Sequence, residues 1–480
     1  METLVETAAT QPRAPRKQIA NDVHSRLNAT EVACIERPRS TRDVVDLVGS
    51  CIERGERLSV AGGRHAMGGQ QFARDRALLD TSELDRVHGF DAERGLVTVG
   101  AGLQWPDMAR ALEHLQKGVA GGRRWGFRQK QTGADRLSLG GALAANAHGR
   151  GLAFPPFVAD VESFQLVTPQ GRVLHCSRTD NALIFQLVAG GYGLFGVVTR
   201  MTMRLMRRRK VERNVEVRQA AGLVQAFEAR LRDGCLYGDF QFEVDSESPG
   251  FLQRGVFSCY RQVSDETPLP DRPRALSREQ WCELLHLAHV DKGLAFQLYA
   301  DHYRSTHGQI YWSDTHQLAS YVDGYHDEID RCGHPGSEMI SELYVPRGHL
   351  ERFLTSAANE LRRRAADVIY GTVRLIERDT DSFLAWARRP WACVVLNLHV
   401  DRGAAGREVA AGHFRALIDL ARELGGSYFL TYHRWATRDQ VEDCHPRFRA
   451  FLDAKRRLDP AGTLWSDWYE HHLRLFGIGS

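Results

Sequence analysis

The spacing of apolar and polar residues in the first part of the chain predicts alternating helices and strands. Apolar positions at helical spacing follow Ser40 and Thr41, either of which can cap a helix, and they end at Gly55. Short apolar strands are predicted at 57–60, 77–80 and 96–102. The chain therefore opens with a β-α-β arrangement.

The same periodicities continue up to about residue 200. Apolar residues at helical spacing predict a helix over 105–116, with Pro106 in its first turn. A hairpin of two strands is predicted at 161–168 and 172–176, and a helix follows at 181–187.

Glycine becomes rarer after the four basic residues 207–210, and the pattern changes to that of a second, α+β domain. Strands are predicted at 238–244, 255–260, 339–345 and 392–400. The stretch from Trp281 to Cys332 is rich in His, Tyr and Trp and is expected to be mostly helical. Helices are predicted near the end of the chain, at 406–424 and 447–458.

Composition narrows the class of protein. A chain of 480 residues is expected to form two or three domains, and 63 basic against 60 acidic residues give no signature of nucleic-acid binding. The nine cysteines form no C-x-x-C pair, which argues against structural zinc and a disulfide framework, so we expect no metal site. Without an apolar leader or a run of 18 apolar residues, we expect a soluble cytoplasmic protein with no transmembrane segment.

Residues 58–69, with the sequence LSVAGGRHAMGG, place four glycines around one histidine at the end of a predicted strand. Glycine allows backbone N–H groups to turn toward a ligand, so this loop can bind a diphosphate. His65 would then lie where its side chain reaches the reactive end of the ligand. A tight turn that needs glycine for its geometry alone is the alternative interpretation.

Two further glycine clusters follow, at 132–151 and 191–196. The sequence GYGLFG at 191–196 matches the dinucleotide-binding pattern G-x-G-x-x-G, but a predicted helix precedes it and a predicted strand follows. Because a Rossmann site requires the opposite order, a nicotinamide-binding fold is disfavoured. Together the three clusters predict the walls of a site for a large, flat, phosphate-bearing cofactor.

The order of four segments carries a family resemblance. They are VAGGRHAMGG from Val60, LSLGGALAANAHG from Leu137, GLFGVVT from Gly193 and LDPAGTL from Leu458. In this order they resemble the flavin-dependent oxidoreductases of the vanillyl-alcohol oxidase and p-cresol methylhydroxylase type, nearest the aldonolactone and alditol oxidase branch. The resemblance is strong over roughly 30–205 and looser over 340–470.

This resemblance implies an α+β protein with a two-subdomain FAD-binding domain of the p-cresol methylhydroxylase (PCMH) type and an inserted α+β substrate or cap domain. We expect a disordered N-terminus at 1–25, the FAD-binding domain at 26–208 and the cap domain at 209–430. A C-terminal segment, 431–480, is expected to return to the FAD-binding domain.

The resemblance also implies which residues contact FAD. The first loop would hold the diphosphate, the start of the second cluster would lie along the flavin ring and ribityl chain, and the third would contribute main-chain contacts. The expected cofactor-binding residues are Ala61, Gly62, Gly63, Arg64, His65, Ala66, Met67, Gly68, Gly133, Ser138, Gly140, Gly141, Ala142, Asn146, His148, Gly196, Val197 and Asp467.

His65 matches the position that many relatives bond covalently to the flavin 8α-methyl group. Such a bond withdraws electrons and makes the flavin a better hydride acceptor. The alternative is that His65 only donates or accepts a hydrogen bond. Arg136 stands where doubly attached relatives carry a cysteine, so at most one covalent bond is expected.

Candidate catalytic residues lie in the second half of the chain. In lactone and alditol oxidases a Glu-x-Arg strand faces the flavin, and the matching residues here are Thr372 and Arg374. Arg374 would stabilise the reduced flavin, whereas threonine in place of glutamate argues against a sugar polyol as substrate. His399, Tyr432 and His433 are the other candidates, and a hydrogen-bonded sheet histidine is the alternative for His399.

These expectations describe an FAD-dependent oxidoreductase that removes a hydride from a carbon bearing a hydroxyl group in a small sugar, lactone or alcohol. His399 or Tyr432 would take the hydroxyl proton, and O₂ or another acceptor would reoxidise the flavin. Two alternatives stay open. One is a reductase of a C=C bond that uses a nicotinamide donor, and the other is a flavin-binding protein without turnover.

Overall fold

The computed structural model describes residues 17–318 and 333–479, which form a mixed structure of helices and sheets. The first part of the chain contains β1 (Gln18–Ala20), β2 (Thr30–Val32), β3 (Cys34–Glu36), α1 (Thr41–Arg54), β4 (Leu58–Ala61) and β5 (Ala77–Asp80). Strands β3, β5 and β4 form a parallel sheet in that order. The predicted helix caps are confirmed, because Ser40 forms a capping box and Gly55 ends α1 in the left-handed conformation.

A five-stranded antiparallel sheet follows, in the order β10-β9-β11-β7-β6. The elements of this part are β6 (Val87–Asp91), β7 (Leu96–Gly100), α2 (Trp105–Leu115), β8 (Trp125–Gly126), α3 (Leu139–Ala145), β9 (Val161–Val167), β10 (Val173–Ser177), α4 (Ala182–Val188), β11 (Val197–Arg204) and β12 (Met206–Arg207). The predicted hairpin is confirmed as β9 and β10, which pair antiparallel.

The strands after residue 209 form one eight-stranded antiparallel sheet, in the order β16-β13-β15-β14-β18-β19-β17-β20. Its strands are β13 (Lys210–Gln219), β14 (Cys235–Phe242), β15 (Arg254–Val263), β16 (Ile310–Trp312), β17 (Ser337–Pro346), β18 (Val368–Ile376), β19 (Trp391–Val400) and β20 (Ser427–Tyr428). The helices of this part are α5 (Leu223–Arg232), α6 (Arg278–Val290), α7 (Lys292–Ser305), α8 (Leu350–Arg363) and α9 (Ala404–Glu423).

The stretch predicted to be mostly helical contains α6 and α7, but residues 310–312 are a strand that pairs with β13 at the edge of the sheet. This pairing joins residues about 100 positions apart, so local periodicity gives no signal for it. Residues 319–332 of the same stretch lie outside the described residues.

The C-terminal segment packs back on the first part of the chain. It contains α10 (Arg438–Cys444), α11 (Phe448–Leu458) and α12 (Asp467–Leu475). The backbone of Leu58 in β4 donates to the carbonyl of Thr463 at 2.7 Å and accepts from Trp465 at 2.8 Å. The segment before α12 therefore adds a short parallel bridge beside β4, next to the first glycine loop.

The two faces of β17 have different surroundings. Met339 and Leu343 lie in the apolar core with residues of α8 and α9. Because side chains alternate along a strand, Glu338 and Glu342 point to the opposite face, where both are buried. Two buried carboxylates on one sheet face are costly unless they are paired, so each of them requires a compensating partner.

Within the described residues, no helix is long and apolar enough to span a membrane.

Candidate active site

The three glycine clusters predicted from the sequence line one cleft. The cleft has a volume of about 990 Å³, part of which is open to solvent. Residues from the first loop, from α3 and from the segment before β11 form its walls, together with Phe429, Thr431 and Tyr432 from the C-terminal part. Of the expected cofactor-binding residues, those that line the cleft are Ala61, Gly62, Gly63, Arg64, His65, Ala66, Gly140, Gly141 and Gly196.

One hydroxyl group joins the first two clusters. The Ser138 Oγ atom accepts hydrogen bonds from the backbone N–H of Gly63 and of Gly141, each at 3.2 Å. A Cβ atom on Gly62 would lie 2.1 Å from the same Oγ atom. The loop after β4 is therefore held against the start of α3 at a distance that only glycine allows.

Unpaired backbone donors concentrate in the first loop. Among the described residues, no hydrogen-bond acceptor lies within reach of the backbone N–H groups of Arg64, His65 and Ala66. The Arg64 backbone adopts a positive φ of 59°, and its side chain pairs with Asp80. A loop that lines a cleft with free N–H groups is suited to bind an anion such as a diphosphate.

His65 is partly buried in the wall of the cleft, and its Nε2 atom is buried without a hydrogen-bond partner. Burial, followed by the nearby His24, lowers the pKa of His65 to about 4. The imidazole is therefore neutral at pH 7. An unpaired nitrogen with a free lone pair matches both interpretations of His65, the covalent bond and the hydrogen bond.

The third cluster lies between α4 and β11, which confirms the predicted order of helix, glycines and strand. A Cβ atom on Gly196, whose φ is 153°, would lie 2.6 Å from the Leu166 side chain. Tyr192 shares a hydrogen bond of 3.3 Å with Thr431 and so links this cluster to the C-terminal wall. The segment is built for close packing at the cleft and not for a Rossmann turn.

Several of the expected cofactor-binding residues lie in the layer packed beneath the cleft walls. Ser138 and Ala142 are buried under the cleft, and Val197 points into the core while its neighbour Val198 lines the cleft. Asn146 ends α3 in the left-handed conformation and donates to Asp379 at 2.9 Å.

Four more of the expected cofactor-binding residues take part in the structure of loops around the cleft. Met67 donates to the Thr431 carbonyl, Gly68 donates to Gln70, Gly133 adopts a positive φ of 86°, and Asp467 accepts from the Arg74 backbone. None of these four lines the cleft.

A buried carboxylate beside the cleft was not singled out by the sequence. Glu342 accepts from His148 Nε2 and from the Tyr344 hydroxyl, each at 2.5 Å, and the Cys393 thiol lies 3.4 Å away. Burial opposes ionisation, but the charge and hydrogen bond of His148 outweigh it and lower the pKa of Glu342. The signal that could have revealed it is a pair of glutamates at alternating positions, 338 and 342, within an apolar strand.

Tyr432 connects the carboxylate to the cleft. Its side chain lines the cleft, and it lies near enough to Glu342 for the carboxylate charge to act on its hydroxyl. Gln131 also donates to this hydroxyl at 3.3 Å. Burial and the charge of Glu342 raise the pKa of Tyr432 well above its usual value, so the phenol is protonated at neutral pH.

Arg374 lies on β18, on the same sheet face as Thr372 and Tyr370. The guanidinium is buried, and although burial opposes its charge, Tyr370 and Cys393 outweigh this and raise its pKa. The Thr372 hydroxyl is buried and has no hydrogen-bond partner. A permanent positive charge and an unpaired hydroxyl therefore lie near Glu342.

The structure does not bring His399 or His433 to the cleft lining. His399 pairs across the sheet with Glu338, and their closest atoms, Nδ1 and Oε1, are 3.9 Å apart. His433 stacks on Phe414 with ring centres 4.8 Å apart and on Tyr428, away from the cleft. Of the four predicted catalytic residues, Arg374, His399, Tyr432 and His433, only Tyr432 is among the described residues that line the cleft.

Comparison with known proteins agrees with this geometry. Residues 32–177 match the family of FAD binding domains. The chain is 25% identical over 437 residues to an L-gulono-1,4-lactone dehydrogenase of Mycobacterium tuberculosis, covering 91% of this chain and 95% of that protein. It is 26% identical over 442 residues to mitochondrial L-galactono-1,4-lactone dehydrogenase 1 of Oryza sativa subsp. japonica, covering 81% and 72%. Cytokinin dehydrogenase 8 of Oryza sativa subsp. indica is 32% identical over 187 residues, covering 36% and 34%.

The cleft and the matched domain define the class of this protein as an FAD-dependent oxidoreductase. Along most of its length the chain is similar to aldonolactone dehydrogenases, which confirms the resemblance to the aldonolactone branch of the PCMH-type flavoproteins.

Ser138→Ala tests the hydrogen bonds that join the loop after β4 to the start of α3. Two amides lose their shared acceptor, so we expect the free energy of unfolding to fall by about 1–2 kcal/mol and the FAD content of the purified protein to fall as well. Ser40→Ala, which removes the cap of α1 far from the cleft, is the matched control. It should cost about 1 kcal/mol without changing FAD content. Unchanged FAD content in Ser138→Ala, measured by flavin absorbance, would contradict the assignment.

His433→Phe tests whether His433 is structural. Burial lowers its pKa to about 3, so it is neutral in the folded protein, whereas the unfolded chain binds the proton below about pH 6.5. This group therefore costs stability progressively as pH falls from about 6.5 toward 3. We expect the variant to keep wild-type activity at pH 7 and to lose less thermal stability than wild type between pH 6.5 and 4. Loss of activity at unchanged stability would instead make His433 catalytic.

Proposed function

We propose that this protein oxidises a CH–OH group of a small polar substrate, most closely an aldonolactone, with FAD bound in the cleft. The observation that carries the proposal is that the residues with the free loop amides, the unpaired His65 Nε2 and the Tyr432 hydroxyl all line one cleft. The relatives named as L-gulono- and L-galactono-1,4-lactone dehydrogenases support the substrate class. When bound there, FAD supplies the acceptor for the hydride.

The chain's own residues would hold the cofactor in a defined orientation. The N–H groups of residues 64–66 would bind the diphosphate, because these residues line the cleft and their N–H groups have no acceptor among the described residues. Small residues of α3, with Gly193 and Gly196, would leave room for a flat ring. His65 would lie at the end of the cleft that holds the flavin ring. Its imidazole would form the one covalent bond between the protein and the flavin.

We also propose the domain division that the resemblance implies. Residues 26–208 would form the FAD-binding domain, 209–430 the cap domain, and 431–480 the segment that completes the first domain. The eight-stranded sheet of residues 210–428 and the bridge from Leu58 to Leu464 support this division.

The proton of the substrate hydroxyl would pass through Tyr432, at the cleft, to Glu342 on the eight-stranded sheet. Tyr432 is protonated at neutral pH, so it acts as a relay: it accepts the substrate hydroxyl proton as it passes its own proton to Glu342. Glu342 can receive this proton because its carboxylate is ionised at neutral pH. His148, 2.5 Å from this carboxylate, would hold the acceptor oxygen in place.

Substrate binding would use the face of β18. The Arg374 charge would attract the oxygen-rich substrate, and the unpaired Thr372 hydroxyl would donate to or accept from a substrate hydroxyl. Threonine at this position leaves a shorter polar group than glutamate does.

Anaerobic stopped-flow bleaching of the bound flavin tests the function. We expect L-gulono-1,4-lactone or L-galactono-1,4-lactone to bleach the flavin, and Tyr432→Phe to slow bleaching by roughly 100-fold. Tyr428→Phe, a buried tyrosine outside the cleft lining, is the matched control and should bleach at the wild-type rate. Bleaching by NADH or NADPH alone would favour a C=C reductase, and wild-type bleaching in Tyr432→Phe would exclude the relay.

Acid precipitation of the holoprotein tests the His65 bond. We expect a yellow pellet from the wild type and a colourless pellet from His65→Ala, which should still bind FAD through the loop amides. A colourless wild-type pellet would show that His65 only hydrogen-bonds the flavin.

A further inference from the structure

A second cluster of ionisable side chains lies on the inner face of the eight-stranded sheet, outside the cleft lining. It consists of His286 and His289 from the last turns of α6, His334 from the loop before β17, Glu338 from β17 and His399 from β19. Glu338 and His399 are direct cross-strand partners. We call this group the histidine–glutamate cluster.

The donor atoms of three members converge. His289 Nε2 lies 2.9 Å from Glu338 Oε1, and His399 Nδ1 lies 3.9 Å from the same oxygen. All three donor atoms are within 4.8 Å of one another. The His334 ring stacks on the His289 ring with centres 4.9 Å apart, so a fourth donor is adjacent.

The hydrogen bonds around His289 leave a lone pair facing the carboxylate. Its Nδ1 atom lies 2.8 Å from the Leu285 carbonyl, which only accepts, so Nδ1 carries the proton. In the neutral ring, Nε2 and Glu338 Oε1 are then two acceptors 2.9 Å apart. This contact is favourable only if a cation, either a proton or a metal ion, lies between them.

Other ring nitrogens of the cluster are unpaired. His286 Nδ1, His334 Nε2 and His399 Nδ1 are buried without a hydrogen-bond partner. A proton on His289 would satisfy one contact and leave these three unsatisfied. A metal ion would in addition use the lone pair of His399, and that of His334 after a small rotation.

We propose that the histidine–glutamate cluster binds one divalent transition-metal ion of the zinc class through His289, Glu338 and His399, with His334 or water as the fourth ligand. Imidazole nitrogens with one carboxylate are typical ligands of zinc. Metal–ligand distances of about 2.0–2.1 Å place tetrahedral ligands about 3.3 Å apart, and the observed separations of 2.9 and 3.9 Å lie on either side of this value.

The surroundings hold the ligands in place. Asn397 donates to the second oxygen of Glu338, and the Leu285 carbonyl orients His289, as groups around a metal site do. Gly336 lets the loop carrying His334 approach, since a Cβ atom there would lie 2.3 Å from the His399 ring. The site would tie α6 to the sheet through His289, whose side chain is almost completely buried.

The site is separate from the proposed redox chemistry. Glu338 lies four residues from Glu342 along β17, which is about 13 Å at the rise of a strand. The cysteine spacing that argued against structural zinc does not bear on it, because no cysteine is among its ligands.

Metal analysis of the tag-free holoprotein tests this proposal. We expect about one equivalent of zinc or another divalent transition metal per chain by plasma mass spectrometry. After EDTA treatment, Zn²⁺ titrated into the holoprotein should bind at one site and raise the thermal midpoint. Glu338→Gln and His399→Gln should each weaken Zn²⁺ binding by roughly 100-fold and abolish the midpoint shift.

His114→Gln, an exposed histidine of α2, is the control for surface binding and should bind Zn²⁺ like the wild type. If Glu338→Gln or His399→Gln does not fold, His289→Gln takes its place. A metal content near zero, with no change in thermal midpoint on addition of Zn²⁺, would overturn the proposal and leave a protonated His289 paired with Glu338. Zn²⁺ binding unaffected by all of these variants would also overturn it.

Discussion

The cleft depends on the hydrogen bonds that one buried hydroxyl, Ser138 Oγ, accepts from the amides of Gly63 and Gly141. They fix the loop after β4 against the start of α3, and the missing Cβ of Gly62 makes the approach sterically possible. Once the loop is fixed, the amides of Arg64, His65 and Ala66 have no acceptor within the described residues. The geometry that stabilises the loop thus also leaves it ready to bind an anion, and the backbone bridge at Leu58 holds the C-terminal wall beside it.

The second constraint is the cost of buried charge on the sheet. Glu338 and Glu342 are removed from water on one face of β17, which is unfavourable for a carboxylate without partners. Each is compensated by histidine: Glu342 by His148 and Glu338 by His289. Burial opposes ionisation of Glu338, but the neighbouring His289 and His399 side chains outweigh it and lower its pKa to about 2. The same pairing that makes the sheet stable places ionised oxygens at two positions where chemistry or metal binding can use them.

The difference between predicted and observed site residues follows from side-chain alternation. Val197 was expected to contact the cofactor through its main chain, and the structure places its side chain in the core and that of Val198 in the cleft lining. A one-residue change reverses the face of a strand, and sequence periodicity places strand ends only to within a few residues. His399 was correctly placed on a strand, yet its position along that strand puts it beside Glu338 and away from the cleft lining.

The sequence by itself determined the features that depend on neighbouring residues: the caps of α1, the hairpin of β9 and β10, the glycine loops and the absence of a Rossmann turn at 191–196. Only the tertiary structure decided that Glu342 meets His148 and that Glu338 meets His289 and His399. These partners are about 50 to 200 residues apart in the chain. They meet because antiparallel register and helix packing bring them together, and no local pattern of apolar and polar residues encodes that register.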